Sequence, residues 1–199
     1  MILIVKQNNG NYKLKMHRLL NKKEGGIIAE QVAHYTAEVF IMSKLSGKKL
    51  ILLGDREGVS NSSMEEALKN CGAEVVYSVT ACFSCSALGT MDNKDQSGIN
   101  DCVNQFGAMN CVAVLGSATT DCAIAYAEAL TAGDPSGLGP LCDIALGLPV
   151  YSIFEKTIEN ETNKGVWDEK ISILSLTLPS REIADAVEKI RSKNSRYKL

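Results

Sequence analysis

From residue 48 onward the sequence alternates short, fully apolar runs with stretches of helical spacing, and this alternation narrows the possible folds more than any other feature. Residues 49–53, 74–80, 110–115, 150–154 and 171–176 read as strands. The run Leu50-Ile51-Leu52-Leu53 carries no polar alternation, as a strand covered on both faces requires. Residues 62–70, 99–106, 119–132, 141–146 and 180–193 read as helices between them, stopped by glycines such as Gly72, Gly107 and Gly133. The hydroxyls of Thr119 and Thr120 stand where an amino-terminal cap is needed. Strands that alternate with helices call for an α/β fold, a doubly wound and mostly parallel sheet with helices on both faces.

The first 41 residues follow a different pattern. Residues 2–6 and 12–16 flank Asn8-Asn9-Gly10-Asn11 and read as a short hairpin. Residues 27–44 space Ile28, Val32, Tyr35, Val39 and Met42 as an amphipathic helix would. Linker-like breaks fall at Gly25-Gly26 and Ser46-Gly47. The chain therefore divides into an amino-terminal extension, 1–41, and a single α/β domain, 42–199.

Charge follows the same division. Residues 1–41 hold six Lys/Arg against three Glu, so of the net charge of −2 the remainder carries −5. An acidic body excludes nucleic acid as the main domain's partner, because phosphate neutralisation needs clustered Lys and Arg. No apolar run approaches the roughly 20 residues that span a bilayer. The opening Met1-Ile-Leu-Ile-Val5 lacks the basic residues that begin a signal peptide, so a cytoplasmic, membrane-free protein is expected.

Seven cysteines without a secretory leader do not read as a disulfide framework. Cys71, Cys102, Cys111, Cys122 and Cys142 each sit among apolar residues and are expected to be buried thiols. Cys82 and Cys85 differ, since two cysteines three apart close a small ring in which one sulfur can expel a group held on the other. A helix starting at the pair would lower a thiol pKa by its amino-terminal field. Half a zinc site needs a second ligand pair, and the only histidines, His17 and His34, lie in the basic head. The same distribution disfavours a Cys–His nucleophile and suits a redox carrier better than a self-sufficient enzyme. Two unrelated, unreactive cysteines are the plain alternative.

A second loop, residues 54–63, joins a strand to a helix with Gly54, Gly58, Ser60, Ser62 and Ser63. It could cradle an anion on free N–H groups, or be a structural turn only. It matches neither the P-loop nor the dinucleotide fingerprint. Asp55, Asp92 and Asp134 shape a docking face or cap turns, with capping the expected role.

Taken together, Lys48-Lys-Leu-Ile-Leu-Leu-Gly54-Asp55-Arg-Glu-Gly58, Gly72-Ala-Glu-Val-Val-Tyr-Ser-Val-Thr80, Cys82-Phe-Ser-Cys85 and Gly89-Thr-Met-Asp92 resemble the selenoprotein A family of glycine/sarcosine/betaine reductase. The likeness continues through Val114-Leu-Gly116, Gly133-Asp-Pro135, Gly139-Pro-Leu141 and Leu146-Gly-Leu-Pro-Val-Tyr151 and covers residues 42–199. Residues 1–41 lie outside it, as an addition or as sequence upstream of a start at Met42. The resemblance implies Cys-x-x-selenocysteine, with Cys85 at the selenocysteine position and Cys82 as the resolving thiol. It implies that component B delivers a carboxymethyl group to residue 85, that component C takes the acetyl unit and releases acetyl phosphate, and that thioredoxin reduces the pair. It implies no bound cofactor beyond the selenium itself, and sulfur at position 85 implies slower turnover. Thioredoxin-like pairs would make Cys82 the attacking thiol, whereas the resemblance makes it Cys85. Two rivals stand beside it: a generic thiol–disulfide oxidoreductase, with Pro149 as its cis-proline, and a non-catalytic module that binds a phosphorylated ligand on loop 54–63.

Overall fold

The computed structural model describes residues 2–6, 12–16, 43–85 and 90–199. The chain divides into two units, Met1–Met42 and Ser43–Leu199. In the first, β1 (Ile2–Lys6) pairs antiparallel with β2 (Tyr12–Met16), Ile2 opposite Met16 and Lys6 opposite Tyr12, as the hairpin reading requires. The helix expected over 27–44 lies outside the described residues, apart from Ser43 and Lys44, which are not helical.

The second unit is an α/β fold. Its elements run β3 (Lys49–Asp55), α1 (Asn61–Leu68), β4 (Glu74–Ala81), α2 (Asn93–Phe106), β5 (Cys111–Gly116), α3 (Thr120–Thr131) and β6 (Val150–Ser152). Three short helices, α4 (Lys156–Glu159), α5 (Lys164–Lys170) and α6 (Ser172–Thr177), and the longer α7 (Ser180–Asn194) close it. The sheet has four parallel strands in the order β4-β3-β5-β6. The chain thus lays β4 on one side of β3 and then crosses to the other side for β5 and β6.

Residue alternation in β3 sorts the two layers. Ile51 and Leu53 pack with α2, α3 and α7 through Ile99, Ala127 and Ile183. Leu50 and Leu52 pack on the opposite face with α1, α4 and α5 through Met64, Ile158 and Trp167. Burial on both faces is why the strand reads as a continuous apolar run. At the far edge, Arg191 of α7 donates to the Val150 carbonyl and to Glu155, both at 2.8 Å, and lies over the Tyr151 ring. That contact fastens the last helix to β6.

Three elements differ from the sequence expectation. Residues 172–177 form a helix, not the strand expected over 171–176. Ile171 is buried while Ile173 and Leu176 face solvent, and the Ser172, Ser175 and Thr177 hydroxyls bond carbonyls three or four residues back, as helical spacing demands. Residues 141–146 form no helix: Asp143 takes a left-handed φ of 59° and ends a single turn. Helix α2 starts six residues before the expected 99, at Asn93, because Asp92 caps it by accepting from the Lys94 N–H at 2.7 Å. Its polar first turn, Asn93-Lys94-Asp95-Gln96, hides it from a search for apolar periodicity. The Thr119 cap on α3 is present, its hydroxyl accepting from the Cys122 N–H at 3.2 Å.

Two glycines at the carboxyl ends of the strands are dictated by space. A Cβ on Gly58 would overlap the Gly116 carbonyl, and one on Gly116 would overlap the Val59 carbonyl. Among the described residues, no helix is long and apolar enough to cross a membrane. Gly116→Ala is expected to cost about 1–3 kcal/mol as an overpacked core change, lowering the midpoint by roughly 2–4 °C per kcal/mol. Thermal denaturation checks this, with Gly165→Ala, where the added carbon meets only ordinary contact, expected to cost nothing.

Candidate redox site

Strand β4 ends at Ala81, paired in register with Asp55 at the end of β3. The chain leaves the sheet at Cys82, and Phe83–Cys85 make one 3-10 turn closed by the Cys85 N–H on the Cys82 carbonyl at 3.2 Å. This turn sets the two Cα atoms 5.2 Å apart, and the sulfurs are joined as a disulfide. Cys82 is half-buried and Cys85 exposed.

The loop after β3 braces that turn. Arg56 N–H donates to the Ala81 carbonyl at 2.9 Å, and the Ser84 hydroxyl donates to Glu57 at 3.1 Å. From the opposite side the Phe83 ring meets Tyr126 edge-on, with centroids 6.0 Å apart at 77°. An open cleft of about 700 Å³ lies beside the pair, walled by the end of β4, both cysteines, Met91, Asp92, the first turn of α2 and Tyr126.

The electrostatics of the cleft differ from the sequence expectation. Among the described residues the cysteines hold a single 3-10 turn and start no α-helix; the α-helix whose amino end faces them is α2, beginning at Asn93. Its field is opposed by the Asp92 and Asp95 carboxylates, with Lys94 on the exposed rim. Asp95 is buried and accepts from the Tyr77 hydroxyl at 2.8 Å. Burial first, and then Asp95, hold the Tyr77 phenol well above its ordinary pKa. Burial likewise raises Tyr126, reinforced by the negative charges at Asp55, Asp95 and Asp92. Both phenols keep their protons at neutral pH.

Loop 54–63 uses its own donors. The N–H groups of Asp55, Gly58, Val59 and Asn61 go to the Val59, Asp55 and Gly116 carbonyls and the Thr80 hydroxyl, and that of Glu57 goes to the Asp55 carboxylate. Asp55, itself buried, also accepts from the Ala118 N–H at 2.9 Å. A loop that spends most of its N–H groups on the protein, with a carboxylate inside it, reads as a structural turn and a poor anion site. Asp92 and Asp134 cap turns as well, Asp134 by accepting from the Ser136 and Gly139 N–H groups.

The remaining cysteines divide. Cys71, Cys111 and Cys122 are buried, and burial pushes the Cys122 thiol to about 12. Cys102 and Cys142 are only half-buried, contrary to expectation, with Cys102 donating to the Val76 carbonyl at 3.5 Å. Among the described residues, no group of three or more His, Cys, Asp or Glu could hold a metal ion. No peptide bond described is cis, and Pro149 is trans.

Sequence reasoning missed Tyr126, which sits on the apolar face of α3 and reads as core. It also missed fully buried Gln96, which donates to the Met91 carbonyl and to Asp134, both at 3.0 Å, and accepts from the Leu141 N–H at 2.9 Å. This clamp ties the 133–141 turn to the first turn of α2. A glutamine three residues into a capped helix gives no such signal in the sequence.

A small α/β domain that presents a Cys-x-x-Cys pair in an open cleft at the carboxyl edge of its parallel sheet is the class these features define. The chain belongs to the glycine reductase complex selenoprotein A family, whose model matches residues 45–191. It is 40% identical over 156 residues, 78% of this chain and 100% of the relative, to glycine/sarcosine/betaine reductase complex component A of Carboxydothermus hydrogenoformans. It is 36% identical to component A of Acetoanaerobium sticklandii, over 78% of this chain and 99% of that one. It is 38% identical to component A1 of Peptoclostridium acidaminophilum, with the same coverage of each. No solved structure gives a significant match.

The exposure difference predicts the order of thiol reactivity. After reduction, iodoacetamide should label Cys85 ahead of Cys82. Label that persists in Cys85→Ser but is lost in Cys82→Ser would reverse the assignment.

Proposed function

We propose that the chain is the redox carrier of a glycine/sarcosine/betaine reductase, with residue 85 as the loading atom and Cys82 as the resolving thiol. One observation supports this most: in a chain of this family, the exposed Cys85 stands one turn from the half-buried Cys82 in an open cleft. A group on residue 85 would reach solvent and a partner, while Cys82 stays within reach of the atom that carries it.

In this cycle component B activates the amine, and the chalcogen of residue 85 attacks the carbon next to the carboxylate. The amine leaves, and a carboxymethyl group remains on residue 85. Cys82 then attacks the chalcogen, the two-carbon unit departs reduced by two electrons, and the pair is left oxidised. A thiol of component C takes the acyl carbon as one carboxylate oxygen leaves as water, phosphate displaces that thiol to release acetyl phosphate, and thioredoxin reduces the Cys82–residue 85 bond. The setting is the cytoplasm, where thiols are kept reduced.

The acidic walls of the cleft bear on the choice of atom. Asp92 and Asp95 line the cleft and Glu57 accepts from Ser84 within the turn, and negative charge beside a chalcogen in general disfavours its ionised form. A selenol ionises more readily than a thiol, so selenocysteine at position 85 tolerates this field where sulfur is penalised.

Reconstitution with components B and C, thioredoxin, phosphate and labelled glycine tests the reading. Acetyl phosphate is expected with the intact pair and absent with Cys85→Ser. Cys82→Ser is expected to load but not turn over, and selenocysteine at position 85 to raise the rate. Undiminished acetyl phosphate from a chain with both cysteines replaced by serine would overturn it.

A further inference from the structure

The carrier cycle needs a proton at carbon, and the described cleft holds few groups able to give one. When Cys82 bonds to the chalcogen of residue 85, the electron pair of the chalcogen–carbon bond passes to the departing carbon. That carbon becomes a methyl group only by taking a proton. Both histidines lie outside the α/β domain, at positions 17 and 34. Asp92 accepts a hydrogen bond from the Lys94 N–H and Asp95 from Tyr77, so each is engaged as a hydrogen-bond acceptor. The Thr80 hydroxyl is given to Asn61 at 2.6 Å.

Tyr126 is different. Its side chain is only 3% exposed, yet its hydroxyl has no hydrogen-bond partner among the described residues. Among the described residues no fully buried polar side-chain atom lacks a partner, so this hydroxyl ends in the cleft rather than in the core. A phenol buried along its ring, without a partner for its tip among the described residues and beside the redox pair, is unusual, because buried tyrosines ordinarily spend the hydroxyl on a neighbour. Phe83, inside the Cys-x-x-Cys turn, holds the Tyr126 ring from the side.

Resting on the carrier reading, we infer that Tyr126 is the general acid of the release step, giving its hydroxyl proton to the carbon that leaves residue 85. The step balances. The Cys82 thiolate forms the bond to the chalcogen, the chalcogen–CH2 bond breaks, and the CH2 carbon takes the phenolic proton. Tyrosinate then recovers, through solvent, the proton that the Cys82 thiol gave up. The pair passes two electrons to the carbon and is left oxidised, and the CH2–COO− group becomes CH3–COO−; it becomes an acetyl unit when a thiol of component C takes the acyl carbon and one carboxylate oxygen leaves as water. The negative walls keep the phenol protonated until it is needed, and a carbanion equivalent is basic enough to take the proton from it.

Loading and release are measured separately on the full chain. Component B and glycine labelled in its methylene carbon load the carrier; component C and phosphate then discharge it. Tyr126→Phe, which keeps the ring against Phe83, is expected to load as wild type and to discharge about a hundredfold or more slowly. A ring-fluorinated tyrosine at 126 keeps the hydroxyl and changes its acidity, so the discharge rate should move with it, as no structural role would require. Discharge of Tyr126→Phe at the wild-type rate overturns the inference, as does a rate indifferent to fluorination. Slowing by Lys94→Gln instead would assign the proton to the exposed lysine. A wild-type chain that takes no label from component B removes the carrier reading itself.

Discussion

The loop after β3 and the end of β5 approach so closely that neither Gly58 nor Gly116 has room for a side chain. Val59 N–H meets the Gly116 carbonyl at 2.8 Å, and the Asp55 carboxylate reaches across to the Ala118 N–H at 2.9 Å. This junction closes the crevice between β3 and β5, where an open α/β sheet most often binds its ligand. The same loop then extends the other way, giving Arg56 N–H to Ala81 and the Glu57 carboxylate to Ser84. One tight backbone contact therefore fixes the floor on which the cysteine turn rests. The open space moves to the edge strand, between β4 and the helices α2 and α3.

A second brace sets the opposite wall. Gln96 is fully buried and joins Met91, Asp134 and Leu141 through three hydrogen bonds. Burial alone would raise the Asp134 carboxyl, but the bonds from Ser136, Gln96 and Gly139 together pull it below its ordinary pKa. A Cβ on Gly139 would overlap the Gln96 amide, so this glycine too is fixed by space. The clamp holds the first turn of α2 beside the cysteines. The site thus stands between two rigid supports, with Cys85 exposed at the mouth.

The apolar core was the most legible part of the chain. Leu50 to Leu53 and Cys111 to Leu115 are buried on both faces, and their unbroken apolar character announces central parallel strands. Where capping outweighs periodicity, the reading failed: Asp92 starts α2 within a polar stretch, and Ile171 to Leu176 satisfies a strand pattern and a helical one alike. Cys82 and Cys85 stood out by spacing alone. The groups around them did not, since Tyr126, Asp95 and Gln96 gain their roles only when three distant segments converge. The Gly-Ser loop was ambiguous because glycine serves close backbone contact as well as anion binding, and only the donor partners separate the two.

The central claim is that residue 85 carries the substrate's carbon, and the peptide spanning residues 70–94 reports it directly. A mass spectrum of that tryptic peptide, from native protein incubated with component B and labelled glycine, should show a carboxymethyl group on residue 85. A selenium isotope pattern there would identify the loading atom as selenium, and its absence with the same adduct would identify it as sulfur. An unmodified dithiol peptide, with component B active on another carrier, would contradict the account and leave a general redox protein.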